Sequence, residues 1–138
     1  MPDKPSPPVP RRRIVLLVEP DQQVRADFAQ ALEARGFQVW SAPDGRGGLE
    51  LARAHLPGVI VGDFPLTAAA GSGFTTAVRT DALLRDAVII TVTDRILTEK
   101  DSLSWQHSDR VLSKPIEAGR LADEVAWAVE QKRSAAEK

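Results

Sequence analysis

The chain contains no cysteine, which excludes disulfides, thiolate metal sites and thiol chemistry. Only two histidines are present, His55 and His107, too few and too far apart in sequence to suggest a metal cluster. No apolar run approaches the roughly 18 residues that a membrane-spanning helix needs, and none after the first charges has the length of a signal-peptide core. An excess of one charge is lacking too: 18 Lys and Arg stand against 19 Asp and Glu, a net charge of -1. That excludes a broadly basic nucleic-acid binder held mainly by phosphate contacts. What is present is an ordinary globular composition, 43% hydrophobic and 27% charged over 138 residues. A chain of this length buries roughly two thirds of its unfolded surface on folding, enough for one core. The expectation is a soluble, cytoplasmic single domain that engages neither membrane nor nucleic acid.

Five of the ten prolines fall in the first ten residues, and Arg11, Arg12 and Arg13 follow. Proline removes backbone donors and this segment has little to bury, so residues 1–13 read as an extended tail ending in a solvated arginine lead-in. The domain itself spans 14–132, and the polar residues 133–138 read as a fraying end. Ile14-Val15-Leu16-Leu17-Val18 is a continuous β-rich apolar run, the pattern of a strand buried on both faces. Val24, Phe28 and Leu32 then recur every four residues as a helical stripe, with Asp21 placed to cap it and Gly36 to stop it. A second strand is expected over 37–40 and a second helix over 44–55. Its glycines, Gly45, Gly47 and Gly48, weaken the start and read as loop flexibility. Strands follow at 59–62, 88–92 and 111–112. Residues 64–72 read as a loop, 73–80 as a helix that could reach Leu84, and 95–107 as a short helix. A last helix over 116–132 carries Leu121, Val125 and Val129. Trp40, Trp105 and Trp127 are expected to pack in or against the core.

Strands alternating with helices predict an α/β fold: a doubly wound five-stranded parallel sheet of order 2-1-3-4-5, a flavodoxin-like three-layer sandwich. In such sheets the functional site lies beyond the carboxyl ends of the strands. Those ends carry Glu19-Pro20-Asp21, Asp63, Thr93-Asp94 and Lys114-Pro115. Crowded carboxylates repel, and a divalent cation relieves them; magnesium takes one or two carboxylates and accepts phosphate oxygens. A lysine supplies a point charge for a phosphoryl oxygen, a hydroxyl donates to another, and a carboxylate can attack phosphorus. Phosphoryl transfer is mostly positioning and charge neutralisation, so these groups could suffice.

Four segments, VLLVEPDQQVR at 15–25, PGVIVGDFPL at 57–66, VIITVT at 88–93 and VLSKP at 111–115, resemble the receiver domain of response regulators in their order and spacing. The resemblance covers residues 14–132. It implies a phosphorylation switch rather than an enzyme, with Asp63 as phosphoacceptor and a histidine kinase or histidine phosphotransfer protein as donor. It implies magnesium held by Glu19, Asp63 and the carbonyl of Pro65, with Thr93 and Lys114 contacting the phosphoryl group. It also implies a cis bond at Lys114-Pro115 and output through contacts with a downstream protein. Dimerisation through the last helix and fifth strand is compatible with it.

The departures are specific. The second acid that such domains place after strand one is Pro20, which has no ligating side chain, so magnesium binding should be weak. Asp21 reads as a cap rather than a ligand. Asp94 takes a position that is usually small, Val111 replaces the aromatic that rearranges on activation, and SWQHSDR replaces the stretch before strand five. The loop after Asp63 is about two residues longer if Gly73 takes the family glycine's place. A pseudo-receiver, used for docking or dimerisation without phosphorylation, is therefore the alternative. A nucleotide- or flavin-binding enzyme is disfavoured, because acids after strand one would repel a cofactor phosphate. Gly71-Ser72-Gly73 and Gly45-Arg46-Gly47-Gly48 lack the spacing and position of a phosphate loop.

Overall fold

The structure, a computed structural model, describes residues 8–63, 73–94 and 107–136. Five parallel strands form one sheet in the order β2-β1-β3-β4-β5: β1 (Ile14–Val18), β2 (Gln38–Ala42), β3 (Val59–Gly62), β4 (Val88–Thr93) and β5 (Arg110–Ser113). Helices α1 (Gln22–Ala34), α2 (Gly45–His55), α3 (Gly73–Thr80) and α4 (Ala118–Ala136) are the α-helices among the described residues. The expected fold class and strand order are thus observed. The loop expected over 64–72, with Pro65 in it, lies outside the described residues. So do the short helix expected over 95–107 (His107 apart), Trp105 and residues 1–7 of the tail.

Alternation along β1 divides the core in two. Val15 and Leu17 face a cluster with Phe28 and Leu32 of α1 and Leu121, Val125 and Val129 of α4. Leu16 and Val18 face the other side, with Ala52 of α2 and Phe74 and Val78 of α3. Strands buried on both faces are apolar at nearly every position, so β1 and β3 read as unbroken runs, while β4 is interrupted by Thr91 and Thr93, both buried.

Several expectations are corrected. β2 starts at Gln38 and runs on to Ala42, because Ser41 and Ala42 pair with Leu17 and Val18. β4 extends to Thr93 and β5 takes in Arg110 and Ser113, which pair in register with Ile90 and Thr93. Gly45 to Gly48 are not a flexible loop but the first turn of α2, capped by Asp44, whose carboxylate accepts from Gly47 N at 2.8 Å. A side chain at Gly48 would place its Cβ 2.8 Å from Val18 Cγ2, so glycine is what lets α2 press onto β1. α3 ends at Thr80, and a turn rather than helix carries the chain to Leu84. α4 begins at Ala118 and continues to Ala136, past Lys132.

The arginine lead-in is anchored. Arg11–Arg13 form a short 3-10 turn. Arg11 donates to the carbonyls of Leu56 and Leu83, and Arg13 donates to that of Arg35 while covering the Phe37 ring at 4.2 Å. Those carbonyls belong to helix ends and a turn, where acceptors lack intrahelical partners. Trp40 stacks on His55 with ring centroids 3.5 Å apart, as packing predicts. Trp127 does not: it is 52% exposed, with Arg110 over its ring.

Candidate functional site at the carboxyl ends of the strands

The parallel sheet ends β1, β3, β4 and β5 on one rim, each delivering one polar residue. Glu19 follows β1, Asp63 follows β3, Thr93 closes β4 and Lys114 follows β5. Glu19, Asp63 and Thr93 are buried, at 2%, 1% and 3% exposure. Lys114 bridges the two acids. Its Nζ lies 3.1 Å from Glu19 Oε2 and 3.3 Å from Oε1, and 3.6 Å from Asp63 Oδ2. The Thr93 hydroxyl is hydrogen-bonded to the Asp63 carboxylate. Lys114 N also donates to Thr93 O at 2.9 Å, so the backbone couples the hydroxyl and ammonium strands. The Lys114-Pro115 bond is cis, as expected.

Burial raises the Asp63 pKa above the ordinary carboxylate value. Lys114 and the Thr93 hydroxyl pull it down, while Asp94 and Glu19 push it up further. Desolvation dominates because the side chain has left water and only part of its capacity is satisfied. Asp63 Oδ1 is buried without a hydrogen-bond partner among the described residues. An orphaned carboxylate oxygen at the end of a buried strand is costly unless something else meets it.

Around this cluster the sequence departures fall into place. Pro20 is exposed and brings no ligand. Asp21 caps α1, its Oδ1 accepting from Val24 N at 3.0 Å. Arg25 reaches back to the Glu19 carbonyl at 2.8 Å and fixes the turn. Asp94 is exposed beside the site, and Val111 is exposed on β5, at 40%.

Sequence reasoning passed over Arg79 and Asp109. The Arg79 guanidinium donates to the carbonyls of His107, Arg85 and Ala87 and to Asp109 Oδ2, and that same Oδ2 accepts from Ile89 N at 2.8 Å. This network clamps the entry to β5 and so sets the strand that presents Lys114. Its partners lie far apart in sequence, and no local pattern signals it.

Magnesium binds through one or two carboxylates and otherwise keeps its water. Glu19 and the orphaned Oδ1 of Asp63 fit the low end of that requirement. No group of three or more acidic or histidine ligands occurs among the described residues, and Pro65 lies outside them.

A family model described as the response regulator receiver domain matches residues 15–126, and the chain belongs to that family. The polar-differentiation response regulator DivK of Brucella anthropi is 27% identical over 112 residues, covering 80% of this chain and 91% of DivK. Two solved structures share the fold. Vibrio cholerae CheY4 superposes with a TM-score of 0.73 at 23% identity, covering 83% of this chain and 96% of that one. A CheY-like receiver domain from Methanospirillum hungatei gives 0.78 at 18%, covering 89% and 98%. Receiver domains are the switch modules of two-component response regulators. They work with kinases or phosphotransfer proteins, are generally not enzymes, and typically bind magnesium at the acidic pocket. No helix among the described residues is long and apolar enough to cross a membrane.

Proposed function

We propose that this receiver accepts a phosphoryl group on Asp63 from a histidine kinase or a histidine phosphotransfer protein and acts as a switch of protein contacts. The observation that carries this is the Asp63 carboxylate itself. It is buried between an ammonium and a hydroxyl, with Oδ1 lacking a partner among the described residues. A carboxylate oxygen attacks phosphorus, the phosphorus–nitrogen bond to the donor imidazole breaks, and the imidazole takes up a proton. Lys114 meets the charge arriving on the phosphoryl oxygens, and Thr93 has a hydroxyl to donate once it turns from the carboxylate. Magnesium, when held by Glu19, Asp63 and the Pro65 carbonyl, supplies further charge neutralisation. Moving the Thr93 hydroxyl from the Asp63 carboxylate to a phosphoryl oxygen changes the β4–β5 side of the molecule, a two-state bias set by one charged group. A cytoplasmic location accords with such a donor.

One observation favours a second reading, the pseudo-receiver. Lys114 sits nearer to Glu19 than to Asp63, 3.1 against 3.6 Å, so the ion pair can hold the rim together without chemistry. Intact-mass spectrometry after incubation with acetyl phosphate separates the two. The phosphoacceptor reading expects one added phosphoryl group, enhanced by magnesium and absent from Asp63→Asn. An unmodified mass at every magnesium concentration supports the pseudo-receiver instead.

A further inference from the structure

A second feature lies at the opposite end of the sheet, where Gly58 enters β3 and Val88 begins β4. Between these strand starts and the last turns of α4 runs a groove of about 260 Å³. Ala87, Val88, Val129 and Ala136 give it an apolar floor. Arg11, Arg12, Lys132 and Arg133 stand around it against a single acid, Asp86. The cations divide by duty. Arg11 is committed to the carbonyls of Leu56 and Leu83, and Arg133 to Glu130. Arg12 and Lys132 are exposed and donate to no partner among the described residues.

We propose that this groove docks an acidic peptide segment of a partner protein, anchored by one apolar side chain. The groove's volume of about 260 Å³ lies at the small end of binding sites and admits one apolar side chain of a peptide. Shape separates this occupant from a bilayer. The apolar surface is recessed behind charged rims, so it receives a side chain rather than inserting one. Charge sets the partner's sign. The chain as a whole carries -1, yet cations dominate this rim. They already act on a carboxylate here: the pKa of Glu130 is lowered, first by its hydrogen bond from Arg133 and further by attraction to Arg133 and Arg12. Roughly 16 Å of strand separates Gly58 from Asp63, so docking at this end leaves the carboxyl rim open.

The test is amide NMR on the full chain, titrated with a Glu-rich peptide carrying one central leucine. The expected shifts concentrate on Gly58, Ala87, Val88, Val129 and Lys132. The apparent affinity should fall about tenfold in the double variant Arg12→Glu, Lys132→Glu, and fall with added salt. Both positions are exposed, so the variant should keep the wild-type melting curve. Replacing the peptide leucine with alanine should weaken binding as well. Shifts elsewhere, equal binding of the alanine peptide, unchanged affinity in the double variant or no binding at millimolar peptide would each overturn the proposal. Binding to phosphatidylserine vesicles or to a single-stranded oligonucleotide in place of the peptide would also overturn it.

Discussion

Replacing Lys114 by methionine tests whether one ammonium holds the carboxyl rim together. The side chains of Glu19 and Asp63 are 3% and 2% exposed, and Lys114 stands 3.1 and 3.6 Å from them. At an effective dielectric of about 20, each such contact represents about 5 kcal/mol of gross attraction. Most of that is offset by the cost of taking the charges out of water. Removing the lysine does not return that cost, because the carboxylates stay buried. Breaking a fully buried pair typically costs about 3–5 kcal/mol. Lys114 keeps 21% of its exposure, so the loss should be somewhat smaller, about 2–4 kcal/mol near neutral pH. With a urea slope of about 2 kcal/mol per molar, the unfolding midpoint should drop by roughly 1–2 M.

The pH dependence has a definite sign. Burial raises the Asp63 pKa, so the folded chain binds that proton more tightly than the unfolded chain. The stability this group contributes is therefore present in acid and lost as pH rises from the ordinary carboxylate value through the raised folded value. Lys114, more than the Thr93 hydroxyl, limits that rise, so its removal extends the window upward. Urea unfolding of wild type and Lys114→Met, compared at about pH 7 and about pH 4.5, should show a deficit that shrinks in acid. An unchanged midpoint at neutral pH, or a deficit just as large in acid, would refute the reasoning.

Other outcomes follow from the same geometry. Asp63→Asn should block phosphoryl uptake from acetyl phosphate while leaving the melting temperature within a few degrees of wild type or above it, because a buried charge is removed; mass spectrometry beside thermal melts checks both. Pro20→Asp should tighten magnesium binding by restoring a carboxylate, read as a lower dissociation constant in a calorimetric magnesium titration. Gly48→Ala should destabilise by about 1–2 kcal/mol despite the better helix former, since its Cβ would sit 2.8 Å from Val18 Cγ2 and 3.1 Å from Phe74 Cε2; urea unfolding measures it. Asp21→Ala should cost about 1 kcal/mol through the lost cap on α1, and a loss of phosphorylation without loss of stability would show that Asp21 serves the site instead.

The elements most legible in the sequence were those whose neighbours are dictated by burial alone. Ile14 to Val18 can only be a central strand, and once strand order is assigned, Glu19, Asp63, Thr93 and Lys114 must share a rim. Asp21 announced its cap by standing just before the apolar stripe that starts at Val24. The sequence misled where a residue's role depends on what faces it. Gly48 looks like a helix breaker until Val18 and Phe74 are seen to need its missing side chain. Arg11 and Arg13 look solvated until helix-end carbonyls come within reach. Trp127 carries the signature of a core residue, yet its position on α4 turns it outward past Arg110. The Arg79–Asp109 clamp could not be found from local spacing, since its partners meet only after β4 and β5 have paired.

The position of Lys114 also bears on how the molecule assembles. Glu19 and Asp63 belong to the middle of the sheet, while their counter-charge arrives on an edge strand, 95 positions after Glu19. A half-built sheet of β2, β1 and β3 would have to dehydrate two carboxylates without the ammonium that bridges them. Such a fragment is penalised at the very place where its apolar strands most favour collapse. The rim thus acts as a completeness check on folding: its charges balance only when the last strand has docked, which disfavours compact partial structures and sharpens the all-or-none character of the transition.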